Sequence, residues 1–111
     1  MIARYVQRGD SIDHTPSSDV AAGDIVVVGD IVGIAKLDIK AGTLGSLALI
    51  GVYDIVKAAG TGTAVTRGAK VYWNATAKVA TTDSASGVNP YLGKAFVAAA
   101  DTDTVVRVRL G

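Results

Sequence analysis

The sequence predicts an all-β, single-domain protein, a small β-barrel or β-sandwich with little helix, and three observations carry that prediction. The ten acidic residues are all Asp, and Gly (13 residues) and Thr are abundant, a strand-and-turn vocabulary short of strong helix formers. Short runs of β-branched residues recur between Gly, Asp, Asn and Pro, the punctuation of barrels and sandwiches. With 111 residues, half of them hydrophobic, the chain has material for one core, so residues 1–111 are expected to form one domain.

Taken in order, strands are expected at residues 2–7, 25–28, 32–39, 46–56, 69–73, 78–81, 93–98 and 104–110. Residues 1–8 read in two ways. They mix Ile2, Tyr5 and Val6 with Arg4, Gln7 and Arg8, so they fit either a first strand ended by the Gly9-Asp10 turn or an N-terminal arm that orders by adding to a partner's sheet edge. Residues 11–23, with His14, Pro16, Ser17 and Ser18, read as an exposed loop or weak edge element, as do residues 82–90.

A faint internal echo runs through the chain. Gly23-Asp24-Ile25-Val26-Val27-Val28 followed by Val32-Gly33-Ile34-Ala35 parallels Gly68-Ala69-Lys70-Val71-Tyr72-Trp73 followed by Leu92-Gly93-Lys94-Ala95. Two imperfect copies with different spacers point to two similar hairpin-like units in one sheet system, not to a solenoid.

Charge excludes several function classes. Eleven basic residues oppose ten acidic ones, so the long-range positive field of a nucleic-acid or anionic-membrane binder is missing; neither nucleic acid nor membrane is an expected partner. The longest β-branched run, Ile25 to Val28, is far too short to cross a bilayer. No Cys is present, which removes thiol nucleophiles, disulfides and zinc ribbons from consideration.

Catalytic chemistry finds little purchase. His14 is the sole imidazole, beside Asp13 and near Ser11 and Ser17; a solvated loop histidine explains it better than a triad. Asp101-Thr102-Asp103 lacks the glycine and distal Glu of a calcium loop and reads as a turn between strands. The glycines of Val28-Gly29-Asp30-Ile31-Val32-Gly33 and of Gly60-Thr61-Gly62 through Gly68-Ala69-Lys70 miss the spacing of phosphate-binding loops. The protein is therefore expected not to be an enzyme, with no catalytic residue, metal or cofactor.

Interaction chemistry is better supplied. In Val105-Val106-Arg107-Val108-Arg109-Leu110, strand alternation puts Arg107 and Arg109 on one face and Val106, Val108 and Leu110 on the other. That face is either simply solvated or an interface to acidic patches on a partner. Tyr72 and Trp73 are successive and must face opposite sides, one toward the core. The core is rich in Ala and Val with one Phe and one Trp, and so thin a core favours self-association.

The blocks Tyr5-Val6-Gln7-Arg8-Gly9-Asp10, Ala22-Gly23-Asp24 with Val32-Gly33-Ile34-Ala35, Gly51-Val52-Tyr53-Asp54, Gly68-Ala69-Lys70-Val71-Tyr72-Trp73, Leu92-Gly93-Lys94-Ala95 and Val106-Arg107-Val108-Arg109-Leu110 follow one another as in the bacteriophage capsid cement (decoration) family, formerly a domain of unknown function. The resemblance covers nearly the whole chain, with the Gly-Ala-Lys-Val-Tyr-Trp block and the Val-Arg-Val-Arg-Leu tail as its most specific parts. It implies a virion protein on the outer face of the capsid, made in the host bacterial cytoplasm, that binds the phage major capsid protein and bridges its subunits. It also implies self-association, a homotrimer ahead of a dimer. Candidate capsid or subunit interface residues are Arg4, Tyr5, Gln7, Arg107 and Arg109. A head–tail connector or tail adaptor barrel would share this composition but form a ring, and a small-ligand-binding barrel is a further alternative. A gene beside the major capsid protein would favour cement, and one beside tail genes the adaptor.

Overall fold

The computed structural model describes residues 1–111 and places nine strands in two antiparallel sheets. They are β1 (Ser11–His14), β2 (Ile25–Val28), β3 (Ile31–Ala35), β4 (Gly45–Ala48), β5 (Val52–Val56), β6 (Lys70–Asn74), β7 (Val79–Thr81), β8 (Tyr91–Ala95) and β9 (Val105–Leu110), with one short 3₁₀ turn at Ala85–Gly87. The first sheet has the order β1-β4-β3-β2 and the second β5-β9-β8-β6-β7. They pack face to face as a sandwich. Neither closes into a barrel, although the second curls until its two edges approach through a parallel bridge between Lys57 and Ala80.

Val32 and Ile34 of β3 meet Ile55, Val71, Leu92, Ala95, Val106, Val108 and Leu110 of the second sheet in the main core. The alternating exposed and buried pattern of β9 is the strand period expected of a sheet with one face in the core. A second, smaller cluster of Ala35, Ile39 and Leu47, flanked by Ile12, Val20 and Val26, covers the other face of the first sheet. Consequently β3 is buried from Val32 to Ala35 on both of its faces.

The internal echo is structural. Val20 and Ile39 exchange two backbone hydrogen bonds of 2.8 Å, and Val65 and Ala99 exchange the same pair at 2.8 and 2.9 Å. The Gly23 N–H donates to the Ala35 carbonyl and the Gly68 N–H to that of Ala95; Ala35 and Ala95 donate back to Asp24 and Ala69. Gly23 (φ +90°) and Gly68 (φ +83°) occupy the left-handed conformation that only glycine adopts without strain. Residues 20, 23 and 24 match 65, 68 and 69 at a shift of 45, whereas 35 and 39 match 95 and 99 at a shift of 60. The extra 15 residues lie between β6 and β8, in the stretch that carries β7 and the 3₁₀ turn. The two halves therefore share one hydrogen-bonded frame, and the unequal spacers are an insertion in the second.

Two expectations need correction, and a third is decided between its alternatives. Residues 2–7 form no strand: the chain from 1 to 9 has no regular structure and is exposed throughout, Ile2 by 108% and Tyr5 by 79%. Of the two readings of residues 11–23, loop or weak edge element, the second holds at its start: β1 is a four-residue edge strand that pairs with β4, so that Ser11 faces Ala48 and His14 faces Gly45. The single strand expected at residues 46–56 is two, β4 and β5, which belong to different sheets. Its apolar run hid the break, because Leu49 and Ile50 look like strand residues while they carry the chain from one sheet to the other.

Trp73 packs against the main core, whereas Tyr72 lies on the outer face in an edge-to-face contact with Tyr91, ring centroids 6.0 Å apart. Trp73→Ala is accordingly expected to cost about 3 kcal/mol and Tyr72→Ala less than about 1.5 kcal/mol. Urea denaturation of the two variants checks the order; equal midpoints would contradict this placement.

Candidate functional site

The outer face of the second sheet is uncovered, and its composition differs from a merely solvated face. Cross-strand register sets Arg109 opposite Lys94 and Lys94 opposite Lys70, so β9, β8 and β6 contribute one cation each to a continuous row. All three are exposed and none makes an ion pair. Like charges placed directly opposite on neighbouring strands destabilise a sheet by themselves. Val52 extends this row on β5.

The next row pairs Asp54 with Arg107. The Arg107 Nε donates to Asp54 Oδ1 at 2.8 Å and its second terminal nitrogen to Oδ2 at 3.2 Å. This two-pronged hydrogen bond holds the Asp54 carboxyl below the usual carboxylate range, against an opposing desolvation and with help from the opposite charge, and Asp54 in turn raises Arg107. Because the folded value is the lower one, whatever the pair contributes is present above the ordinary carboxylate range and is lost as pH falls through the lowered one. Both side chains are exposed, so the contribution is small. An NMR titration of the Asp54 carboxyl should show a depressed midpoint that Arg107→Gln returns to the ordinary range.

Exposed apolar side chains surround the charges: Val52 (45%), Val56 (58%), Val105 (44%) and Phe96 (50%), whose N–H donates to the Arg107 carbonyl. Of these neighbours, Phe96 and the arginines are the residue types enriched in protein–protein contact surfaces.

The five residues singled out in the sequence fall on two separate elements. Arg107 and Arg109 sit on this face, on β9 in the interior of the second sheet. Arg4, Tyr5 and Gln7 lie in the exposed stretch that leads into β1 at the edge of the first sheet, where the one ion pair is Arg8 with Asp10 at 3.0 Å. Lys70 and Lys94 were missed. Each lies inside a block of the internal echo, yet only the register reveals that they extend the arginine row.

The residues weighed for other chemistry have structural surroundings. On β1, strand alternation turns Ser11 and Asp13 to the face opposite His14, so these three assemble no triad. The Asp103 Oδ2 accepts the Ala100 N–H at 2.8 Å and closes the expected turn, whereas the Asp101 Oδ1 accepts the Ala64 N–H at 2.8 Å and ties that turn to the loop after β5. Gly29 and Asp30 form the tight turn between β2 and β3. No three Asp or His side chains converge as a metal site would require.

One further residue had no signal in the sequence. Lys57 is 3% exposed, and its Nζ donates to the Ala58 carbonyl (2.9 Å), Thr63 Oγ1 (3.0 Å) and the Asp103 carbonyl (3.0 Å). All three ammonium protons are satisfied by neutral acceptors, so Lys57 ties the loop after β5 to the loop before β9.

No curated protein and no solved structure matches the chain. A family model described as phage cement protein matches residues 6–110, which takes in both sheets and the cationic face. That family is structural and associated with the phage capsid, a virion component of bacteriophages. A match of this extent, on a chain folded as an all-β sandwich, means that the chain belongs to the phage cement protein family.

Proposed function

We propose that this protein is a non-enzymatic decoration protein that binds the outer surface of the phage capsid and stabilises contacts between neighbouring major capsid protein subunits. The family match across residues 6–110 is the observation that carries this reading. On this reading the protein is made in the host bacterial cytoplasm, joins the shell as a homotrimer in preference to a dimer, and stabilises it by mass action, since binding one state of the shell lowers that state's free energy.

We assign the shell contact to the outer face of the second sheet. Arg109, continued by Lys94 and Lys70, offers unpaired positive charge to acidic patches of the capsid protein, Arg107 lies beside them in its pair with Asp54, and Val52, Val56, Val105 and Phe96 supply the apolar area around it. Arg4, Tyr5 and Gln7 belong to the second contact element, toward the capsid or a neighbouring subunit.

Co-sedimentation with shells of the corresponding major capsid protein tests this. The wild type is expected to bind, more weakly as salt rises, and to delay heat disruption of the shells. The triple variant Lys70→Gln/Lys94→Gln/Arg109→Gln should bind roughly 10-fold more weakly or worse, with a shallower salt dependence. A control, Lys36→Gln/Lys40→Gln, changes cations in the connection between β3 and β4 and should bind as the wild type does. Wild-type protein that ignores the shells would end the decoration reading. A comparable loss in the control would leave that reading standing and remove the face from it.

A further inference from the structure

The chain contains a strand without a sheet and a sheet edge without a strand. Residues 2–7 have strand composition, free of Pro and Gly, but in the folded chain they pair with nothing, and Ile2 (108% exposed), Tyr5 (79%) and Val6 (77%) face solvent. At the far edge of the first sheet lies β2, Ile25-Val26-Val27-Val28, hydrogen-bonded on one side only. β2 is short, but its four consecutive β-branched residues carry neither the charge nor the proline that commonly protects an edge strand, and Val27 is 40% exposed.

Beside that edge runs a groove of about 710 Å³ between β2 and β5, with Ile25, Val27, Tyr53, Val56 and Trp73 in its lining. Its charged residues are Asp19, Asp24, Asp54 and Lys78, an acidic excess even though Arg107 already engages Asp54. The arm carries the opposite charge, from Arg4 and from Arg8, whose exposed pair with Asp10 would be exchanged for the groove. In an extended arm Ile2 and Val6 share one face with Arg4 and Arg8, so the face that would fill an apolar groove also brings cations to its carboxylates.

We propose that residues 2–7 of one copy add as a strand to the free edge of β2 in a second copy, with Ile2 and Val6 in the groove and Arg4 and Arg8 toward Asp19 and Asp24. Strand addition satisfies the unpaired backbone groups of both segments at once. The geometry favours a second copy over the arm's own chain. The arm leaves from β1, three strand spacings or about 14 Å from β2, and crossing that width takes about four residues at 3.3–3.6 Å each. A crossing made with residues 6–9 would remove Val6 and Gln7 from the strand, whereas an arm from a neighbour keeps them. Such a contact joins two different surfaces, so it propagates head to tail and closes when the copies form a ring.

The experiment uses the free protein, without shells, so its outcome is separate from that of the decoration reading. The chain has no cysteine. Gln7→Cys protein is mixed in turn with Val26→Cys, Val27→Cys and Val28→Cys protein, to sample the register, and oxidised. A disulfide joining one chain of each kind is expected in at least one mixture, and Arg4→Asp in the arm-bearing chain should reduce its yield several-fold. Deleting residues 2–7 should leave the melting transition intact and lower the sedimenting mass to that of one chain. The proposal is overturned if no mixture yields the mixed disulfide, if a chain carrying both cysteines closes only on itself, or if the deletion leaves the mass unchanged. A deletion that keeps the mass and loses shell binding would likewise overturn it and assign the arm to the capsid protein.

Discussion

Gly93→Ala is expected to be the most damaging small substitution in the molecule. Gly93 lies in β8 opposite Leu110, and a Cβ built on it runs into the backbone carbonyl of Arg109 on the neighbouring strand. Backbone cannot move aside as the end of a side chain can, so the clash separates β8 from β9 in the middle of the five-stranded sheet and opens the core lined by Leu92, Val108 and Leu110. A cost of about 3 kcal/mol or more is expected, a large share of the roughly 5–15 kcal/mol that holds a domain of this size together. Gly33, the equivalent residue of the first half, would place its Cβ 2.8 Å from the Leu47 Cβ and should suffer less, because that overlap is shallower than the one at Gly93. Gly9→Ala meets nothing within 4 Å and is the neutral control. Urea midpoints for the three variants are expected in the order Gly93→Ala, Gly33→Ala, Gly9→Ala from lowest to highest. A Gly93→Ala midpoint equal to that of Gly9→Ala would contradict the β8–β9 register.

Lys57→Met should be the most damaging change that conserves side-chain bulk. Methionine fills much of the same volume but leaves the Ala58 and Asp103 carbonyls and the Thr63 hydroxyl without the donor they share. Thr63 Oγ1 retains the Gly60 carbonyl at 2.6 Å, so the two carbonyls bear most of the loss. At about 1–3 kcal/mol for each buried acceptor left unmade, partly relieved by water entering at the loops, a net cost of about 2–4 kcal/mol is expected. Amide hydrogen exchange should localise it, with faster exchange at Lys57, Gly60 and Ala64, whose N–H groups bond to Thr104, to the Asp101 carbonyl and to the Asp101 carboxylate. Protection unchanged at these amides would mean that the Lys57 hydrogen bonds do not organise the loops. Lys57→Arg is expected to destabilise as well, since a planar guanidinium cannot reproduce three donors converging from one nitrogen.

If these losses occur where expected, they bear on capsid function through stability alone, because neither residue lies on the cationic face. Lys70, Lys94 and Arg109 are expected to behave in the opposite way, altering shell binding while leaving the midpoint nearly unchanged. That separation divides the sheet into an inner face that holds the fold and an outer face that meets a partner.

Composition and period two alone determined that the chain is all-β, that β2 spans residues 25–28, that Val106, Val108 and Leu110 point inward with Arg107 and Arg109 outward, and that the two halves repeat one motif. Each of these depends on residues close together in sequence, where side-chain alternation and turn chemistry act directly. Other features were decided only by tertiary structure, because they depend on which strands become neighbours. The apolar run through residues 46–56 serves two sheets, and Ser11–His14 becomes β1 because β4 offers it an edge. Residues 2–7 remain unpaired, since strand propensity without an edge to join forms no hydrogen bonds. The cation row is another such feature: Lys70, Lys94 and Arg109 are up to 39 residues apart in the chain and become adjacent only through the β6–β8 and β8–β9 registers. Lys57 is the extreme case, for a lysine at the end of a strand reads as solvated until the loops at Thr63 and Asp103 close over it and supply, from opposite ends of the second half, the acceptors that make its burial tolerable.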